Sequence, residues 1–81
     1  MKVKVLYFSS LKDRLKISNE IIDINEKTTV RSFLQILKER YPQFEKNFDN
    51  VMIAVNEEYA NPDQILNDGD TVAVIPPVSG G

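Results

Sequence analysis

Only one stretch of this chain carries the period of a long helix. In TTVRSFLQILKERYP, Val30, Phe33, Leu34, Leu37 and Tyr41 recur at i, i+3, i+4, i+7 and i+11. That is a single apolar stripe on a 3.6-residue repeat. Thr29 is placed to cap the start. Pro42 disfavours helical geometry at Tyr41 and stops the helix there, and Lys38 and Arg40 fall near the negative end of its dipole. Phe33, Leu34 and Leu37 are expected to be buried. One helix of this length covers one face of a small sheet and leaves the other face open, which is an α+β arrangement.

The strands that could meet it are short. KVKVLYF (residues 2–8) alternates, with Val3, Val5 and Tyr7 on one face and Lys4, Leu6 and Phe8 on the other. SSLKDRLK follows, where Ser10 with Asp13 three residues on has an N-cap pattern and Leu11 and Leu15 share one side of a short helix. In residues 19–25, Ile22 and Ile24 point one way and Ile21 and Asp23 the other. Residues 42–50 read as a loop whose Phe44 and Phe48 can cover the core. VMIAV is a third strand before a turn at Asn56 and Glu57. Ile65 and Leu66 are expected to plug a gap, Asn67, Asp68 and Gly69 to turn, and TVAVI to be the last strand. If Val3, Val5, Val72 and Val74 face the helix, then Leu6, Phe8, Ala73 and Ile75 lie on the open face. Phe8 and Ile75 come close if the first and last strands pair. Apolar residues on an uncovered face call for a partner.

Eighty-one residues make one domain near the lower size for a self-sufficient core. Apolar content of 42% and charged content of 27% are those of a folded globular chain. A net charge of −2 offers no basic face for a phosphate backbone, so nucleic acid is not an expected partner. No apolar run approaches the length that spans a bilayer, and Lys2 and Lys4 interrupt what a leader would need as a continuous apolar segment. Cysteine and histidine are both absent. No disulfide, Cys–His or Ser–His couple or ordinary zinc site is possible, and a cytoplasmic location fits. Chemistry involving this chain is expected at its backbone or on a partner.

The last six residues, PPVSGG, are the most specific part of the sequence. Pro76 and Pro77 lack backbone N–H groups and cannot extend a ladder. The domain is therefore expected over residues 1–75, with residues 76–81 as a flexible, extended tail. Six residues reach roughly 20 Å at about 3.3 Å each, enough to enter a pocket on another protein. Gly80 and Gly81 would pass a narrow channel and leave the terminal carboxylate unhindered.

KVLYFSSLKD, AVNEEYA and LNDGDTVAVIPPVSGG together resemble the small, sulfur-carrying subunits of molybdopterin synthase, which are ubiquitin-like β-grasp proteins. The resemblance covers essentially the whole chain. Val74 and Ile75 are aliphatic where aromatic residues are common in that family. It implies a β-grasp fold with a mixed sheet, in which the first and last strands are parallel central neighbours. It also implies that Gly81 is the reactive residue: an adenylyltransferase similar to ubiquitin-activating enzymes uses ATP to adenylate its carboxylate, and sulfur then gives a thiocarboxylate. The loaded tail enters the large synthase subunit and donates sulfur to cyclic pyranopterin monophosphate, building the dithiolene of molybdopterin. The implied assembly has two small and two large subunits, and no cofactor binds this chain. Leu6, Phe8, Ile75, Pro76, Pro77, Val78, Ser79 and Gly80 are the expected partner contacts. Alternatives are a related carrier for thiazole or tRNA thiolation, or a ubiquitin-like protein modifier. Asp63, Asn67, Asp68 and Asp70 lack the spacing of a calcium loop, and Glu57 and Glu58 read as solvated turn residues.

Overall fold

A computed structural model of the chain describes residues 1–77. The order is β1 (Lys2–Tyr7), α1 (Ser9–Leu15), β2 (Asn19–Asp23), α2 (Val30–Arg40), a 3-10 segment (Pro42–Phe48), β3 (Met52–Val55), β4 (Glu58–Tyr59) and β5 (Thr71–Ile75). The strands form one sheet in the order β2-β1-β5-β3-β4. β1 and β5 run parallel at its centre, and the other pairs are antiparallel. This is the expected mixed sheet with one main helix.

The alternation in β1 and β5 decides which face meets α2. Val3, Val5, Tyr7, Val72 and Val74 are buried with Phe33 and Leu37 in a single core. Leu11 and Leu15 close that core from α1, and Ile22 and Ile24 from β2 and the residue just after it. Thr29 caps α2 as expected, its hydroxyl oxygen accepting from the Ser32 amide at 3.1 Å. Tyr41 ends the helix, its amide donating to the Leu37 carbonyl at 3.0 Å.

Several local expectations need correction. α1 starts at Ser9 with Phe8 as its N-cap, so Ser10 lies inside the helix and caps nothing. Leu34 is only half-buried, because it sits on the shoulder of the apolar stripe. Residues 42–48 form 3-10 turns kinked at Phe44 rather than a loop, with Phe48 buried and Phe44 partly so. Leu66 is buried, but Ile65 is 51% exposed: it makes a bridge to Thr29 that turns its side chain outward. The Asn56–Glu57 turn, with φ of 51° and 72°, leads into β4, a fifth strand too short to leave a periodic signal. Gly69 turns the chain at φ 86°.

One polar cluster ties the helix end to the sheet. The Glu20 carboxylate on β2 accepts from the Tyr7 hydroxyl at 2.6 Å and the Tyr41 hydroxyl at 2.5 Å, both at Oε2. Arg40 donates through Nε and Nη2 to Oε1 at 3.1 and 2.8 Å. The Tyr41 ring stands edge-on to Tyr7 and stacks on Phe48, which fixes the 3-10 segment against α2. Burial opposes ionisation of Glu20, yet the hydrogen bonds from Tyr41, Tyr7 and Arg40 outweigh it and hold the carboxyl below its ordinary value. Burial, reinforced by Glu20, pushes the Tyr7 hydroxyl well up, so it stays a donor.

The depressed carboxyl has a consequence for acid stability. Ionised Glu20 contributes stability that is complete above its ordinary value of 4.5 and disappears as pH falls through the lower folded-state value. Glu20→Gln should cost about 1–3 kcal/mol at neutral pH. Below about pH 4.5 the gap between the two proteins should narrow, because the parent loses what the variant never had. Thermal melts from pH 7 down to pH 3 read this directly. A constant gap across that range would show that the carboxylate's charge is not what the cluster uses.

Candidate functional site

The uncovered face of the sheet can be assembled row by row from its register. Leu6 lies beside Asn19 on β2 and Ala73 on β5, and Ala73 lies beside Ala54 on β3, which pairs with Tyr59 on β4. The next row toward the end of β5 holds Ile75 beside Met52. Phe8 follows Tyr7, which pairs with Val74, and its backbone is extended. Its side chain therefore shares the face of Leu6 and falls in line with Ile75.

This face is apolar where it approaches the end of β5. Phe8 is 43% exposed, Met52 50% and Tyr59 71%. Leu6, Ala73 and Ile75 are half-buried. Leu6, Phe8 and Ala73 form the apolar side of a shallow hollow of ≈ 420 Å³, completed by Thr71, Asn56 and Glu57. Three of the four residues expected on the open face, Leu6, Phe8 and Ala73, are therefore brought together there, and the fourth, Ile75, lies one row on beside Met52. Met52, Tyr59 and Ile21 were not among them, although each lies on that face. The alternation through residues 19–25 already sets Ile21 apart from Ile22, and the same alternation carried through β3 gives Met52. Tyr59 could not, because β4 offers only two residues.

The chain leaves the sheet at the same end. β5 stops at Ile75, and Pro76 follows as a buried residue while Pro77 is exposed. Pro76, expected to begin the projecting tail, is thus part of the folded body. Ser10, Lys46, Asn47, Asp49 and Asn50 line a polar groove with the two prolines, between the start of α1 and the 3-10 segment. The expected contacts Val78, Ser79 and Gly80, and the expected reactive residue Gly81, lie outside the described residues.

The aspartates singled out in the sequence are occupied by local structure. Asp70 accepts from the Asn67 amide at 2.7 Å and from Asn56 Nδ2 at 2.9 Å. Asn56 Oδ1 in turn accepts from the Thr71 amide at 3.0 Å, bolting the β3–β4 turn to β5. Asp68 accepts from the Lys2 amide at 2.7 Å, and Asp63 pairs with Arg31 at 2.6 Å. Among the described residues no group of three or more acidic, cysteine or histidine side chains is placed to hold a metal ion. No described helix is long and apolar enough to cross a membrane. Among the described residues the site is therefore a surface and a chain exit.

Known proteins are similar to this chain over all or nearly all of its length. The ThiS family matches residues 5–81. The molybdopterin synthase sulfur carrier subunit of Mycobacterium tuberculosis is 34% identical over 82 residues, covering 100% of this chain and 99% of its own length. Among solved structures, a putative molybdopterin converting factor subunit 1 from Pyrococcus furiosus is 36% identical with a TM-score of 0.85, covering 96% of this chain and 99% of its own. A chain from the protein–protein complex of subunits 1 and 2 of molybdopterin-converting factor from Helicobacter pylori is 28% identical with a TM-score of 0.72, both chains being covered completely.

Proposed function

This chain belongs to the ThiS family, and from that premise we propose that it is the sulfur carrier subunit of a molybdopterin synthase. Its β-grasp body is the docking module, and the backbone carboxylate of Gly81 is the group that changes covalently. The carboxylate attacks the α-phosphate of ATP on an activating enzyme and releases pyrophosphate. A sulfur donor then displaces AMP and leaves a thiocarboxylate. A free carboxylate is a poor acyl donor, and the adenylate supplies the leaving group it lacks. The large subunit receives the loaded tail, and the thiocarboxylate sulfur passes to cyclic pyranopterin monophosphate as the dithiolene is built. ATP and the pterin belong to the partners.

The observation that carries this reading is where β5 delivers the chain. The central strand runs to Ile75 and Pro76 at the rim of an uncovered apolar face, in a chain similar along its whole length to sulfur carrier subunits. A partner that covers the face also takes hold of the root of the tail.

Incubation with an activating enzyme, ATP and a sulfur donor, followed by intact-mass measurement, tests the chemistry. The expected result is replacement of one oxygen by sulfur, confined to the C-terminal peptide. An unchanged mass, or isopeptide conjugates in place of the thiocarboxylate, would reject the carrier reading. Docking is tested separately by Phe8→Asp. Phe8 lies outside the buried core, so the variant should melt like the parent. Its affinity for the large subunit should fall by about tenfold or more, since an exposed aromatic at the centre of an interface is where binding energy concentrates. Equal affinity in calorimetry would remove the open face from the interface.

A further inference from the structure

The hollow on the open face is flanked by two charges of opposite sign. Lys4 precedes Leu6 by two residues on the same face of β1 and pairs in register with Thr71, which lines the hollow. Its other cross-strand neighbour is Ile21 on β2. Glu57 lines the hollow from the β3–β4 turn. Asn56 beside it is committed to Asp70 and Thr71. Among the described residues neither Lys4 nor Glu57 takes part in an ion pair, and they do not pair with each other. Both are exposed.

A charge at the border of an apolar patch is comfortable only while water reaches it. Any surface that buries Leu6 and Phe8 also covers Lys4, since successive same-face residues on a strand lie only about 7 Å apart. Covering the ammonium without an opposing charge would strip its water and return nothing for it. The same holds for Glu57 on the other side of the hollow. A partner that seats on this face therefore has to answer a positive charge on one side and a negative charge on the other. That requirement sets which way round it docks.

We propose that Lys4 and Glu57 form an orientation code read by the large subunit, which inserts an apolar side chain into the hollow between an acidic residue over Lys4 and a basic residue over Glu57. The inference rests on the large subunit being the partner. The code would direct the end of β5 toward the large subunit's active site, where a dock rotated by half a turn would direct it away.

Charge reversal separates this code from a general effect of net charge. Lys4→Glu takes the chain from −2 to −4, whereas Glu57→Lys takes it to 0. Calorimetric titration of purified large subunit with each variant is compared with the parent at low salt and at about 0.5 M salt, where charge effects are screened. Each reversal should weaken binding roughly tenfold at low salt, the range of a close interfacial charge pair, and both losses should shrink at high salt. Lys4→Met and Glu57→Gln, which keep the stems, should lose less in the same direction. Thermal melts should match the parent throughout. Opposite shifts for the two reversals, or affinities within twofold of the parent, would overturn the code while leaving the partner assignment intact. Absence of binding by the parent itself would instead overturn the partner assignment, and the code with it.

Discussion

A variant lacking Gly81 should transfer no sulfur. In a single-turnover assay the parent, loaded as its thiocarboxylate, should convert pterin on the large subunit, and the shortened chain should give no product even at saturating concentration. The chemistry demands a carboxyl carbon at one position in the partner's active site. Removing a residue withdraws it by about 3.5 Å, the reach of one extended residue, and misplacement of about 1 Å already costs orders of magnitude in rate. Folding should be spared, because the described core residues lie between Val3 and Val74. Affinity for the large subunit should survive in large part, since Phe8, Met52 and Leu6 are untouched. Full transfer by the shortened chain would end the carrier mechanism. A collapse of its melting temperature would instead make the last residue structural. Gly80→Ala probes the same channel more gently: it should fold normally and react slowly if the channel admits no side chain.

Where a repeating pattern sets a side chain's fate the sequence shows most of it, although Leu34, on the shoulder of the α2 stripe, is only half-buried. Val3, Val5 and Tyr7 alternate onto the buried face of β1, and Phe33 and Leu37 recur onto the buried side of α2. The open face follows from the same alternation, so Leu6 and Phe8 could be placed on it without coordinates. What could not be read depends on partners distant in sequence. Glu20 looks like any charged strand residue until Tyr7, Tyr41 and Arg40 converge on its carboxylate. Ile65 looks like core until its bridge to Thr29 turns it outward. Pro76 reads as the first residue of a tail until the 3-10 segment and the start of α1 close around it. Lys4 and Glu57 are 53 positions apart in sequence, and only the pairing of β1 with β5 and the folding back of the β3–β4 turn set Lys4 beside Thr71, at the edge of the hollow that Glu57 and Thr71 line.

Leu37→Ala should cost about 2–5 kcal/mol, the range for deleting a buried leucine side chain. Leu37 is 0% exposed and sits in the last full turn of α2, where its carbonyl receives the Tyr41 amide at 3.0 Å. A small domain has about 5–10 kcal/mol in total, so this one change should remove a fifth or more of it. The melting temperature should fall by at least about 8 °C, taking roughly 4 °C per kcal/mol for a domain of this size. The comparison that gives the result meaning is Leu34→Ala, on the same helix one turn earlier. Leu34 is half-buried and borders a groove with Val51, Met52 and Tyr59 that stays open to water. The cavity there would be filled by solvent, and the loss should be about 1 kcal/mol. Urea melts of the two variants would measure how α2 is rotated on the sheet. Equal losses would mean that the helix presents Leu34 and Leu37 alike to the core, contrary to the packing described. A loss below 1 kcal/mol at Leu37 would mean that the helix is not what covers the valine face of β1 and β5.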